Sequence, residues 1–249
     1  MHLICLTPSF GTVRLPRNLL ALYEAQRLYS TDTAHLIVFA DDGLLQTQSG
    51  GSPPLTWEIV GTDQWTPLQQ KYGVMLAMAS ARGDAYVVMD VDDVYLPWHL
   101  AAHASTLQRH PWSHPSRAWS THGVRDLSRE MPAVRHLDGN RYHGALAIRA
   151  DLMRELGGWP DTDRSDYDKQ QLARCKAAAG PPGDPCEHHD PSYVYRWGDT
   201  GSDHISARIV TGADGVRRYP RPRIQDQPHA GPLTPCLDHS TREVIRWLT

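Results

Sequence analysis

Long apolar runs are missing from this sequence, and so is a secretory leader. No stretch of about 18 consecutive apolar residues occurs in the 249 residues, which argues against a membrane-spanning helix. The opening segment, MHLICLTPSF, has no basic n-region and only a short apolar run, so we expect no signal peptide. These absences predict a soluble, cytoplasmic protein.

Cysteine is also scarce. The four cysteines are Cys5, Cys175, Cys186 and Cys236, and no two of them form a CxxC pair. This pattern favours free thiols in a reducing compartment over a disulfide framework. A bond between Cys175 and Cys186 stays open, because spacing alone does not decide it.

An excess of positive charge is the third missing feature. The formal net charge is -3, which argues against general binding to polyanions but allows a local basic patch. The segment 208–224 carries such a patch, formed by Arg208, Arg217, Arg218, Arg221 and Arg223. The segment is interpreted either as a solvated loop or as a lid over a diphosphate. A further alternative is a contact to a polyanionic acceptor, such as a modified base in DNA.

Strand and helix patterns alternate through the first hundred residues. Apolar, β-rich runs predict strands, and apolar positions three and four apart predict helices. The predicted strands are 2–7, 34–42, 55–60 and 85–91, and the predicted helices are 15–29, 67–82 and 96–110. A Gly/Ser/Pro-rich loop is predicted at 49–54. The alternation indicates parallel βαβ units and an α/β fold.

The second half is less regular. Strands are predicted at 144–150 and 192–197, and helices at 151–156 and 165–179. Residues 211–236 are rich in Pro, Gly and Arg and predict a loop. A capping box from Ser240 to Glu243 predicts a last helix.

Two of the predicted strands end in acidic residues. Asp41 and Asp42 follow one strand, and Asp90, Asp92 and Asp93 follow another. Ligands of open α/β sheets bind beyond the carboxyl ends of the strands, so these acids mark a candidate site. Side chains alternate along a strand, so Asp90 and Asp92 are expected to point to the same side and to suit Mg²⁺ or Mn²⁺. The alternative is a solvated acidic loop.

The segment MDVDDVYLP resembles the DxD region of family 2 glycosyltransferases with the GT-A fold. Other pieces follow in the family's order: CLTPSFGTVRLPRNLLALYEAQRLYS, LIVFADDG, AMASARGDAYVVMDVDD, LMRELGGWPD, SDYDKQQLAR and YVYRWGDTGSDHIS. The resemblance covers residues 2 to about 206. It implies a Rossmann-like, mostly parallel central sheet flanked by helices. We expect a domain over 1–210, with a nucleotide-sugar half at 1–100 and an acceptor half at 101–210, followed by 211–249.

The resemblance also implies a donor pocket. Asp42, or its neighbour Asp41, would bond to the nucleobase of a nucleoside-diphosphate sugar, with UDP favoured as the nucleotide. Pro8 and Phe10 would line the base pocket. Lys71 occupies a position where related sequences often have a basic residue near the donor, although a solvated lysine is the alternative.

Metal ligands follow from the same resemblance. Asp90 would face the ribose and the water shell of a Mn²⁺ or Mg²⁺ ion. Asp92 would bind that ion where it bridges the diphosphate, and His204 would be a further ligand. A cation there neutralises charge on the departing nucleoside diphosphate.

A catalytic base for hexosyl transfer is expected near residue 166. Asp166 matches the family's base, which takes the proton from the acceptor hydroxyl in a direct, inverting displacement. Asp168 is the second candidate. Ser165 departs from the family pattern, which often has Glu there. Asp166 is also explained as an acid favoured by a helix N-terminus.

Three alternatives compete with this interpretation. The segment DVDDV also fits the nucleophile loop of haloacid-dehalogenase-type phosphatases, although that loop normally follows the first strand of its fold. A second alternative is a module that binds a nucleotide sugar without turnover. The third is a zinc site at His99 and His103, which have helical ligand spacing but no evident third ligand.

Overall fold

The structure is a computed structural model of the chain. It describes residues 1–9, 14–41, 43, 45–64, 66–79, 82–91, 93–120, 133–136, 143–160, 166–195, 210–211 and 217–218. The statements below concern these residues. Within them, no helix combines the length and the apolar character needed to cross a membrane.

Strands and helices alternate through the first half of the chain, as predicted. The strands are β1 His2–Ser9, β2 Thr33–Ala40, β3 Gln48–Ser52, β4 Leu55–Gly61, β5 Ala85–Val88, β6 Val94–Tyr95, β7 Trp112–Ser113, β8 Arg117–Ser120, β9 Ala133–His136, β10 Ala147–Arg149, β11 Tyr193–Tyr195, β12 Val210–Thr211 and β13 Arg217–Arg218. The helices are α1 Arg14–Glu24, α2 Leu68–Ala79, α3 His99–Leu107, α4 Ala150–Glu155 and α5 Tyr167–Ala179. A 3₁₀ turn, His143–Ala145, precedes β10.

A seven-stranded sheet forms the centre of the fold, in the order β3-β4-β2-β1-β5-β10-β7. The strands β4, β2, β1 and β5 are parallel to one another, whereas β3, β10 and β7 each run antiparallel to the strand they pair with. A second sheet has the order β6-β11-β8-β9, and β12 pairs with β13. The parallel strands place the ends of β1, β2 and β5 at one edge.

Alternating side chains of the central strands build two cores. On β1, Leu3 and Cys5 face the core formed with α1 and α3, whereas Ile4 and Leu6 face the core formed with α2, α4 and α5. Because both faces are covered, the central strands are apolar on both sides. The prediction of an α/β fold with a mostly parallel sheet flanked by helices is confirmed.

The first helix is shorter than predicted because Gln26 binds elsewhere. The predicted helix reaches residue 29, but α1 ends at Glu24. The Gln26 side-chain amide donates to the carbonyl of Leu22 at 3.1 Å and to those of Tyr95 and Leu96 at 3.2 and 3.0 Å. This amide bonds a carbonyl near the helix end and ties α1 to the segment after β5.

The predicted loop at 49–54 contains a strand instead. Strand β3 pairs with β4, with Gly50 opposite Trp57. A methyl carbon added at Gly50 would lie 2.5 Å from Trp57 Cζ2, so the indole occupies the space above the glycine. A glycine-rich sequence therefore forms a strand because its partner supplies the missing side-chain cover.

Two other predicted strands are shorter than expected. Strand β5 ends at Val88 rather than at residue 91, so the alternation expected for Asp90 and Asp92 does not extend from the strand. The segment predicted as the strand 144–150 begins with the 3₁₀ turn and becomes β10 only at Ala147. The segment 211–236 includes the short strand β13, and the predicted last helix lies outside the described residues.

The described cysteines are free. Cys5, Cys175 and Cys186 are buried thiols, so no bond joins Cys175 to Cys186. Burial raises the pKa of the Cys175 and Cys186 thiols to about 12. They pack as small apolar groups.

His99 and His103 lie on α3 with their side chains buried in the protein core, rather than at a surface metal site. Their Nδ1 atoms lie 2.9 Å from the hydroxyls of Ser192 and Ser113, respectively, and their rings meet edge to face. Burial, with a smaller contribution from the neighbouring His114, lowers the pKa of His103 to about 3. Burial and His103 together lower the pKa of His99 well below its usual value. Among the described residues, no group of three or more His, Cys, Asp and Glu side chains is arranged to hold a metal ion.

This buried pair predicts a loss of stability in mild acid. The unfolded histidines bind protons near pH 6.5, whereas folded His103 does so only near pH 3, so the unfolded state holds more protons between these values. The free energy of unfolding should therefore fall with decreasing pH, by about 1.4 kcal/mol per pH unit for each such histidine. Urea unfolding from pH 7.5 to 4.5 measures this slope.

In His103→Asn, the slope of the unfolding free energy against pH should fall by the amount of one proton, because asparagine does not titrate. The asparagine amide can still bond to Ser113, so the fold is kept. His188→Asn is the control, since His188 is exposed and should not change the slope. An unchanged slope in His103→Asn would contradict the prediction.

Candidate functional site

A buried ion pair lies where β1 and β2 end. Lys71 Nζ on α2 is 2.6 Å from Asp41 Oδ1 and donates to the Ser9 carbonyl at 2.8 Å. The Thr66 amide donates to the other Asp41 oxygen at 2.7 Å. The Lys71 side chain is 0% exposed, so the solvated-lysine alternative is wrong. The pair fixes the first turn of α2 over the carboxyl edge of the sheet.

The end of β1 is tied to the segment that follows β5. Thr7 Oγ1 donates to the Met89 carbonyl at 2.5 Å, and the Met89 amide donates to the Leu6 carbonyl at 3.1 Å. Pro8 lies between Thr7 and Ser9 on β1, is buried, and is paired with Phe39 of β2. The predicted base-pocket residue Pro8 therefore lies at the same edge as Asp41 and Asp90.

Asp90 is held by groups from three parts of the chain. The Tyr72 hydroxyl donates to Asp90 Oδ1 at 2.9 Å. The Asp90 backbone amide donates to the Tyr95 hydroxyl oxygen at 2.5 Å, and Tyr95 donates to the Gly144 carbonyl at 3.0 Å. The turn carrying Asp90 is therefore braced by α2, β6 and the 3₁₀ turn before β10.

Oxygen atoms converge on Gly144. A methyl carbon added there would lie 2.7 Å from Asp90 Oδ2, 3.2 Å from Asp93 Oδ2 and 3.0 Å from the Tyr193 hydroxyl. The Tyr193 hydroxyl donates to Asp93 Oδ2. The three atoms nearest this cradle at Gly144 are thus two carboxylate oxygens and a phenol oxygen. Carboxylate oxygen is the ligand type that a hard divalent cation such as Mg²⁺ or Mn²⁺ prefers, although no set of three or more described His, Cys, Asp or Glu residues is arranged to hold one.

The two tyrosines that bond these carboxylates stay protonated. Burial raises the pKa of Tyr72 well above its usual value, and Asp90 raises it further. Burial and Asp93 have the same effect on the pKa of Tyr193. Both phenols therefore act as hydrogen-bond donors at neutral pH.

Asp166 and Asp168 lie at the start of α5. Asp166 is the N-cap residue, makes no side-chain capping bond, and accepts a bond from Gln170 Nε2 at 2.9 Å. Burial raises the pKa of the Asp168 carboxyl, although the Lys169 amide donates to it at 2.8 Å. Both side chains are half-buried. The N-cap position of Asp166 agrees with the alternative that this acid is favoured by the helix N-terminus.

Trp159 links the segment before α5 to α2. Its ring stacks on Tyr72 with centroids 4.5 Å apart and an interplanar angle of 15°. It follows Gly157 and Gly158, which have φ angles of 71° and 92°, a backbone region that favours glycine. Arg174 of α5 donates to the carbonyls of Leu156 and Gly158, which holds this turn in place.

Sequence patterns identified some of these residues and missed others. Asp41, Lys71 and Asp90 lie along one edge, but no sequence pattern marked Tyr95, Tyr193 or Gly144, because their contacts join distant segments. For Tyr72, the only hint was its position beside Lys71. Several predicted residues lie outside the described part, namely Phe10, Asp42, Asp92, His204, Arg221 and Arg223. Arg217 and Arg218 form β13.

A cavity of about 490 Å³ lies at the other edge of the sheet, beside the starts of β1 and β5. Arg149 in its wall is paired with Asp151 at 2.6 Å. Ligands of open α/β sheets bind at the carboxyl edge, so we place the site at Asp90 and not in this cavity.

No family model matches the sequence, and no curated protein does. Solved structures do match. TarS from S. aureus in complex with UDP has a TM-score of 0.58 and 14% identity, covering 79% of this chain and 60% of that one. The TarS complex with UDP-GlcNAc gives 0.56 and 14%, covering 84% and 62%. The chain thus spans about 60% of the length of these structures.

A mannosyltransferase from Pyrobaculum calidifontis, PcManGT, was solved with GDP-Man and Mn²⁺. It matches with a TM-score of 0.55 and 16% identity, covering 80% of this chain and 58% of that one. At these identities the likeness concerns the fold. The fold class expected from the sequence, a GT-A type α/β fold, is confirmed.

The crowding at Gly144 predicts a selective loss of stability. Gly144→Ala should lower the free energy of unfolding by about 1–3 kcal/mol, because the new methyl group would displace Asp90 or Tyr193. Gly73→Ala is the matched control. A methyl group at Gly73 would meet nothing within 4 Å, and the substitution replaces a glycine inside a helix. Urea unfolding compares the two. Equal effects of both substitutions would refute the tight cradle.

Proposed function

We propose that the protein is a metal-dependent glycosyltransferase of the family 2 type, with the DVDD segment as its DxD motif. It would move a sugar, a hexose, from a nucleoside-diphosphate donor, UDP first, to an acceptor hydroxyl. The carrying observation is the convergence of Asp90 and Asp93 at the carboxyl edge of this fold. Support comes from UDP, UDP-GlcNAc and GDP-Man in structures of the same fold.

The donor base would bind beside β1 and β2. Both oxygens of Asp41 already bond to Lys71 and Thr66, so we assign the nucleobase contact to Asp42. Pro8 and Phe10 would line this pocket. Lys71 would shape it from below by holding Asp41 and the end of β1, rather than by touching the donor.

The diphosphate would bind beyond β5. Asp92 and His204 would hold a Mn²⁺ or Mg²⁺ ion, and Asp90 would face the ribose and the water shell of that ion. When bound, such a cation neutralises the charge that develops on the departing nucleoside diphosphate. The oxygen-lined cradle at Gly144 supports this placement, because carboxylates packed together need a positive partner.

The acceptor hydroxyl would be activated by a carboxylate at the start of α5. Asp166 would take its proton while the hydroxyl oxygen attacks the anomeric carbon and the bond to the diphosphate oxygen breaks. One such displacement inverts the configuration. Asp168 is the second candidate, and its raised pKa suits a proton acceptor.

The phosphatase alternative has less support. Its nucleophile would follow the first strand, whereas Asp90 follows β5. A binding module without turnover would keep the same donor contacts. Release of sugar from the donor separates an enzyme from such a module.

Donor binding should require a divalent cation. Calorimetry with UDP should show binding in MnCl₂ that EDTA abolishes, and Asp92→Ala should weaken it by about tenfold or more. Asp151→Ala, at the opposite edge of the sheet, is the control and should bind normally. A panel of nucleotide sugars, assayed for hydrolysis with Mn²⁺, identifies the donor. Equal UDP binding with and without the ion would refute the proposal.

Replacing the base should slow turnover without weakening donor binding. Asp166→Asn should lower kcat by about 10²- to 10⁴-fold while the Kd for UDP stays unchanged. Asp168→Asn should cost less than about tenfold. Initial rates with the identified donor measure this. The reverse ranking would transfer the role to Asp168, and full activity of both variants would contradict a carboxylate base at α5.

A further inference from the structure

We propose that Tyr72 is a positioning residue for the donor site, which orients Asp90 and connects it to the segment carrying Trp159. This inference rests on the proposed function, since it concerns how the donor carboxylate is set. Tyr72 would not touch the donor itself. It would act only through the Asp90 side chain.

The hydroxyl of Tyr72 fixes the orientation of the Asp90 carboxylate towards the cradle. It donates to Oδ1 at 2.9 Å, and the other oxygen, Oδ2, is the one directed at Gly144. A carboxylate bonded at one oxygen loses rotation about its last bond. Asp90 therefore presents Oδ2 to the cradle before any ligand arrives, which reduces the ordering cost of binding.

Tyr72 is itself held firmly. It is fully buried on α2, one residue after Lys71, whose ion pair fixes that turn of the helix. One ring face stacks on Trp159, and Tyr167 lies at a centroid distance of 6.0 Å. With its backbone and ring both constrained, the hydroxyl has a fixed position from which to donate.

The Tyr72 ring also contacts residues near the start of α5. Trp159 belongs to the turn that Arg174 holds through the carbonyls of Leu156 and Gly158. That turn precedes the segment containing Asp166. One side chain, Tyr72, thus contacts both the donor carboxylate and the part of the chain that delivers the proposed base.

The test replaces only the hydroxyl. Tyr72→Phe keeps the ring on Trp159 but leaves Asp90 Oδ1 without this donor. We expect the Kd for UDP in MnCl₂ and the donor KM to rise about tenfold, while kcat changes less than about threefold, since the bond serves donor binding.

Tyr23→Phe is the matched control. Tyr23 is also fully buried and donates at 2.9 Å, but to the Thr56 carbonyl, away from the site. It should lose similar thermal stability and keep the wild-type Kd and KM. A tenfold rise in Kd for Tyr23→Phe as well would overturn the inference, because a general structural loss would then explain both.

A double-mutant cycle tests whether Tyr72 acts through Asp90. In the Asp90→Asn background, Tyr72→Phe should change the Kd for UDP in MnCl₂ by less than about twofold. A full tenfold effect in that background, or wild-type binding by Tyr72→Phe alone, overturns the positioning role. If the wild-type protein binds no UDP with Mn²⁺, the proposed function fails and this inference fails with it.

Discussion

The buried ion pair between Lys71 and Asp41 is the interaction on which the site depends. Removing both charges from water is costly, and their attraction offsets that cost only when the remaining hydrogen-bonding groups are satisfied. Ser9 and Thr66 supply those bonds. The pair therefore locks α2 onto the ends of β1 and β2, which places Tyr72 over Asp90. Without the ion pair, Tyr72 would not be held where it can both stack on Trp159 and bond to Asp90.

The architecture could be predicted from the sequence because local patterns of apolar and acidic residues specify the strands and their ends. Runs of apolar residues marked the parallel strands, and acids after them marked the edge where Asp41 and Asp90 lie. The extent of β5 was overestimated because the apolar residues Met89 and Val91 lie just beyond its end at Val88, on either side of Asp90. After Val88 the backbone leaves the sheet, and the Asp90 amide donates a hydrogen bond to the Tyr95 hydroxyl.

The missed parts are contacts between distant segments. Tyr72 and Asp90 are 18 residues apart, and Asp93 and Tyr193 are 100 apart, so no local pattern joins them. Strand β3 was missed for a related reason, because Trp57 across the hairpin makes its glycines suitable for a strand. The buried state of Lys71 also depends on a partner 30 residues away.

The reversed direction of β10 has a consequence for how such a protein can diversify. Because β10 runs against β5, the chain approaches the acidic edge just before this strand, and Gly144 arrives from the later half of the sequence. The side of the acidic edge next to Pro8 and Asp41 is thus contributed by the early strands, and the opposing wall by later segments. Changes in length before Gly144 can reshape that wall while the registers of β1, β2 and β5 stay intact, so under the proposed function the acceptor side could vary without rebuilding the donor side.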